Sequence, residues 1–188
     1  MINRLKATRH LVGRLSGEPV IASCGNPKFD LFTAAEKRKA NFYMWNSMGM
    51  ASSIGLGLAM ARPDRKVIVL DGDGAILMNL NSLATEASKA PANLIHIVWD
   101  NGQYQITGGQ PTHTSGKAKI EAIARGAGFK KALTVKTMTA FKEAVSRVLS
   151  QPGPWILVAE TDSSDAPGRP PKSPVLIKNR FMEALRGD

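Results

Sequence analysis

The chain has 188 residues, 43% of them hydrophobic, which suits a single globular domain with a sizeable core. Its formal net charge of +10 raises the question of nucleic acid, but the basic residues are scattered, the densest run, Lys37-Arg-Lys39, adjoins Glu36, and no interleaved aromatic pattern or nucleic-acid motif accompanies them. A lone Cys24 excludes an internal disulfide framework and points to a reducing cytoplasm, and no apolar run reaches membrane-spanning length.

In chain order, Ile2, Leu5, Val12 and Leu15 can line one face of a helix over 2–15, with His10 on its surface. The basic residues there would also suit a transit peptide. A strand at 19–24 follows with no cleavage-like linker, so a structural helix is preferred. Further helices are predicted at 27–36, 48–61, 75–89, 117–127, 138–150 and 174–186. Further strands are predicted at 42–45, 66–71, 93–99, 129–134 and 154–160. This alternation implies an α/β fold over 1–188: a doubly wound, mostly parallel sheet with helices on both faces. The stretch 101–116, rich in Gly, Thr, Gln and Ser, has no periodicity and reads as a functional loop that orders over a ligand.

The densest chemistry lies in Val67-Ile-Val-Leu-Asp-Gly-Asp-Gly-Ala75 and in Trp99-Asp-Asn-Gly-Gln-Tyr104. Each is an apolar strand running into a polar turn. Gly72 and Gly74 allow a sharp turn and close ligand approach, and free N–H groups at the start of the 75–89 helix form an anion seat. A carboxylate there repels phosphate unless a cation lies between them. Asp73 therefore makes most sense as a ligand to a hard divalent metal such as magnesium, with the Asn101 amide oxygen and the Gln103 backbone carbonyl completing the protein's share. Alone, Gly-Asp-Gly is more often just a strand-to-helix turn; Asn101 on the next strand tips the balance.

Other chemistries lack their parts. Gly49, Gly55 and Gly57 do not form a dinucleotide fingerprint and read as helix-packing glycines. One cysteine and three dispersed histidines cannot make a zinc site, and no nucleophile elbow is present. His96, in an apolar strand, reads as a satisfied core residue. His113, in the 101–116 loop, is a candidate acid–base group whose competing reading is an exposed loop histidine.

Gly72-Asp-Gly74 followed by Asn101 resembles the thiamine-diphosphate motif, and Trp45-Asn-Ser-Met-Gly-Met50 resembles the segment that holds the cofactor's aminopyrimidine. Tyr104-Gln-Ile-Thr-Gly-Gly-Gln-Pro-Thr112, Ser47–Gly55 and the tail Ser173–Leu185 narrow the likeness to β subunits of sulfopyruvate decarboxylase and the C-terminal half of phosphonopyruvate decarboxylase. The resemblance covers the chain from about Val20 onward. It implies that Met48 wedges beneath the cofactor, and that the Asn46 carbonyl and Met48 N–H bond the pyrimidine. Gly25, Asn26, Gly72, Gly74, Ala75 and Tyr104 would contact the cofactor, and Asp73, Asn101 and Gln103 would hold Mg2+. Asn46 stands where glycine is expected, as a residue tolerant of special backbone conformations, and Cys24-Gly-Asn-Pro27 is an unusual version of the diphosphate turn.

The same resemblance implies a 2-oxo acid decarboxylase acting on an anionic 3-substituted pyruvate. In such enzymes a glutamate on a separate, similar-sized module activates thiamine. Too short for both modules, this chain is expected to be the diphosphate-binding subunit of a hetero-oligomer, with that glutamate on a pyrimidine-binding partner. The rival expectations are a carboligase or 2-oxo acid oxidoreductase subunit, or a non-catalytic protein retaining the fold.

Overall fold

In the computed structural model of the protein, which describes residues 1–186, the apolar run Val67–Gly72 forms a central strand, β3. Its neighbours in sequence are β1 (Val20–Ala22), β2 (Asn41–Tyr43) and β4 (Leu94–Asp100). A short ribbon, β5 (Gln103–Tyr104) with β6 (Gln110–Pro111), follows, and then β7 (Ala132–Val135) and β8 (Trp155–Glu160). The main sheet has the order β2-β1-β3-β4-β8-β7, and every pairing in it is parallel. The chain steps outward from β1 to β2 and returns on the other side of β1 as β3. This reversal makes a switch point, and in open α/β sheets ligands bind at the carboxyl ends of the strands beside it.

The helices are α1 (Arg4–Val12), α2 (Asn26–Ala35), α3 (Ala51–Ala61), α4 (Asp73–Leu77), α5 (Asn81–Lys89), α6 (Ile120–Gly126), α7 (Met138–Ser150) and α8 (Pro174–Arg186). Alternate strand residues serve opposite faces. Ile68, Leu70, Ile97 and Trp99 pack with Leu11 of α1, Leu31 of α2 and Phe141 and Val145 of α7. Val67, Val69 and Ile21 pack with Ala51 and Leu56 of α3 and Phe181 and Leu185 of α8. Val98, Ile156 and Val158 meet Ile76, Leu83, Ile120 and Phe129. Being buried on both faces is why the strands read as continuous apolar runs. Each fully buried side chain of this kind contributes about 1.5–3 kcal/mol over exposure. Gly55 lets α3 press onto β3: a Cβ there would lie 2.1 Å from Val69 Cγ2. Among the described residues, no helix is long and apolar enough to cross a membrane.

Three expectations need correction. The helix expected over 75–89 is two helices, α4 and α5, broken across 78–80. Asn79 donates to the Gly49 carbonyl at 2.7 Å and Ser82 Oγ to the Asn79 carbonyl at 2.8 Å, side-chain bonds that compete with a continuous helix. The supposedly unstructured stretch 101–116 contains the β5–β6 ribbon and two 3-10 turns, Gln105–Thr107 and His113–Ser115. His10 is half-buried rather than on the open surface of α1, and burial lowers its pKa ahead of the charges of Lys142 and Arg14.

Candidate active site

The carboxyl ends of β1, β3 and β4 open into one cavity of about 250 Å3. Gly25 and Asn26 enter it from the turn after β1, Gly72–Ala75 from the β3–α4 junction, and Asn101, Gln103 and Tyr104 from beyond β4. Met48 reaches it from the segment before α3. Residues far apart in sequence are thus brought together by the parallel topology alone. Asn46 does not line the cavity and is exposed. The special backbone expected at Asn46 falls one residue later, at Ser47, whose φ is +59°. His113 is exposed and also lies outside the cavity wall. Cys24 closes β1 and is half-buried in the wall; burial holds its thiol above the ordinary range, the Lys28 charge opposing.

Asp73 is the electrostatic centre, 2% exposed and at the first position of α4. Its Oδ2 accepts from Thr112 Oγ1 at 2.5 Å and from Thr114 Oγ1 at 3.0 Å. Thr114 Oγ1 also lies 2.7 Å from Asp100 Oδ1, so its single proton is shared between two carboxylates. Burial raises the Asp73 pKa first of all, and the charge of Asp100 adds to this. The two threonines and the Gly74 N–H pull the other way. Beside it, Asn101 Oδ1 accepts from the Gln103 N–H at 3.3 Å, and Asn101 Nδ2 donates to Gln105 Oε1 at 3.0 Å.

Residues 24–159 match the family model described as "Thiamine pyrophosphate enzyme, C-terminal TPP binding domain". The chain is 40% identical over 170 residues to sulfopyruvate decarboxylase subunit beta of Methanocaldococcus jannaschii, covering 90% of this chain and 89% of that one. The chain belongs to the thiamine pyrophosphate enzyme family. It is also 36% identical to phosphonopyruvate decarboxylase of Streptomyces viridochromogenes, over 95% of this chain but only 45% of that protein. In fold it resembles benzoylformate decarboxylase of Polynucleobacter necessarius, with a TM-score of 0.74 and 18% identity over 90% of this chain and 34% of that one.

The cavity offers a donor set that suits a hard cation. A buried carboxylate, an amide oxygen and nearby backbone carbonyls are oxygen ligands, the kind magnesium takes when it also binds phosphates. Among the described residues no group of three or more His, Cys, Asp or Glu side chains is placed to hold a metal ion. A Cβ on Gly72 would meet nothing within 4 Å, so backbone faces open space there. The indole N–H of buried Trp99, another wall residue, has no acceptor among the described residues.

Sequence reasoning missed several residues of the site. Thr112 and Thr114, which hold Asp73 from behind the cavity wall, flank the exposed His113, and their alternation along an extended segment was the available signal. Arg4, not singled out in the sequence, is 2% exposed, pairs with buried Asp30 and reaches the cavity wall. Burial pushes Asp30 up to about 6 against the pull of Arg4. Lys28, on the first turn of α2, lines the cavity as well.

Proposed function

We propose that the chain is the diphosphate- and magnesium-binding subunit of a split thiamine-diphosphate-dependent decarboxylase of 2-oxo acids. Its substrate is an anionic 3-substituted pyruvate such as sulfopyruvate or phosphonopyruvate, which yields an aldehyde and CO2. The observation that carries this reading is the buried Asp73 in a single cavity with Asn101, Gln103 and the glycine turns. The relatives at 40% and 36% identity supply the reaction class.

When bound, thiamine diphosphate supplies an electron sink for the carbon–carbon cleavage. The protein's part is positioning. Asp73, the Asn101 amide oxygen and the Gln103 carbonyl would hold Mg2+, while Gly25, Asn26, Gly74 and Ala75 would take the diphosphate through backbone and amide contacts. Met48 would support the cofactor's bend, with the Asn46 carbonyl on the pyrimidine and Tyr104 closing the site over Gly74.

The partner is a pyrimidine-binding subunit carrying the activating glutamate. Two observations support a partner here. The chain spans 89% of a relative named as a beta subunit, and Met48 and Ile106 leave apolar surface exposed in the cavity wall itself. Co-expression with a candidate partner and a screen of 2-oxo acids with thiamine diphosphate and Mg2+ tests the proposal. Aldehyde and CO2 release supports it; an acyloin or acyl-CoA product overturns the decarboxylase reading.

A further inference from the structure

Lys28 is a buried cation without an anion. It is 4% exposed and lines the cavity. Among the described residues, no carboxylate oxygen lies within 4.0 Å of its ammonium and no hydrogen-bond acceptor serves it. Its Nζ instead lies over two aromatic faces, 4.0 Å from the Trp45 ring centroid and 4.9 Å from that of Phe29. Further cations gather on the same rings: Arg169 is 4.2 Å from Phe29 and Lys172 is 5.6 Å from Trp45. The Trp45 indole donates to the Pro171 carbonyl at 2.8 Å, which ties the segment bearing these cations to the cavity wall. A cation–π contact replaces only part of the hydration that an ammonium loses as its side chain is buried, so Lys28 keeps donor capacity to spare towards the cavity. Burial, the leading cause, lowers the Lys28 pKa, and the charge of Arg169 adds to it while Cys24 opposes.

We infer that Lys28 binds the anionic head of the substrate, a sulfonate or phosphonate group, in the part of the cavity beside Trp45. This rests on the decarboxylase reading above. The cofactor's diphosphate is the other possible source of such an anion. It has magnesium and the glycine turns at Gly25 and Gly72–Gly74 to receive it, whereas Lys28 faces Trp45, three positions before Met48. A tetrahedral oxyanion can accept a charge-assisted hydrogen bond from an ammonium that also rests on aromatic faces.

Isothermal titration calorimetry on the full chain with methylphosphonate, ethanesulfonate and thiamine diphosphate with Mg2+ tests this, alongside Trp45 emission. Lys28→Gln should weaken methylphosphonate and ethanesulfonate binding by about tenfold or more. Lys28→Arg should restore part of it, and thiamine diphosphate binding should shift by less than about twofold. If Lys28→Gln instead weakens thiamine diphosphate tenfold and spares the small anions, the substrate assignment is overturned in favour of the cofactor's diphosphate. If a folded Lys28→Gln protein, checked by circular dichroism, binds every probe as the parent does, or if the parent binds no small anion, the subsite does not exist. A co-expressed pair that binds the small anions through Lys28 but not thiamine diphosphate would sink the cofactor reading and leave Lys28 as an anion site.

Discussion

Asp71 and Asp73, separated by one glycine at the end of β3, are both buried, yet their charges are met in opposite ways. Asp71 belongs to a sealed cluster. His96 Nε2 lies 3.6 Å from Asp71 Oδ2, and His96 Nδ1 lies 3.2 Å from Glu86 Oε2, with all three side chains fully buried. Burial alone would pull the His96 pKa down, but Glu86 and then Asp71 outweigh it and carry it up to about 10. The chain therefore supplies its own cation for these carboxylates. Asp73 receives only hydroxyl and amide hydrogens, with Asp100 nearby adding charge of the same sign. Compensation from within marks a structural cluster; at Asp73, on the proposed function, positive charge would arrive with a ligand.

The largest effect is expected where compensation is internal. His96→Gln leaves two buried carboxylates without their cation and should cost about 3–5 kcal/mol of stability in urea denaturation. The pH dependence has a definite sign. A folded-state pKa near 10 against an ordinary 6.5 means that the proton is bound more tightly in the native protein. The stability difference between parent and variant should be full below pH 6.5 and decline as pH rises towards 10. A difference that stays flat through that window would mean that His96 is neutral in the fold, and the contrast with Asp73 would collapse.

At Asp73 the prediction runs the other way, with binding lost and stability kept. Asp73→Asn should weaken Mg2+-dependent thiamine diphosphate binding by on the order of 100-fold, since loss of a ligand costs at least as much as loss of its outer partners. Folded stability should hold or rise, because an uncompensated buried charge has been removed. Thr114→Val removes the hydroxyl that links Asp73 to Asp100 and should cost about tenfold in Mg2+ affinity. Titration of thiamine diphosphate at fixed Mg2+ reads the first and titration of Mg2+ at fixed thiamine diphosphate reads the second, and a Thr114→Val protein with parental affinity would show that the threonine does not orient the carboxylate.

The contrast also separates what the sequence reveals from what it hides. The doubly wound sheet was legible because each buried strand is a continuous apolar run and each helix carries a stripe; Val67–Leu70 and the spacing of Phe141, Val145 and Val148 could hardly fold otherwise. Asp73 and Asn101 were legible because a site at strand ends is encoded in short segments. The Asp71–His96–Glu86 cluster was hidden because its members come from β3, β4 and α5, and only the register Asp71↔Val98 and Val69↔His96 brings them together. Lys28 was hidden for the same kind of reason: a lysine reads as surface until tertiary packing lays Trp45 and Phe29 against it. The break at Asn79 was missed because a side-chain bond to Gly49, distant in sequence, outweighs the helical periodicity.

The smallest effects concern the glycines flanking Asp73, which differ although both line the cavity. A Cβ on Gly74 would lie 2.4 Å from Tyr104 Cε1 and 3.3 Å from Thr112 Cγ2, so the ring must move. Tyr104 is only half-buried and stands on the two-residue strand β5, so it can give way. Gly74→Ala should therefore cost about 1 kcal/mol, the low end for overpacking. Gly72 has an extended φ of −100°, which any residue adopts, and a Cβ there meets open space. Gly72→Ala should change stability by no more than about 0.5 kcal/mol in the same urea assay. The pair thus distinguishes a glycine required by the fold's own packing from one whose free space matters only to a ligand. Equal stability losses at the two positions would show that the space above Gly72 is already filled by protein.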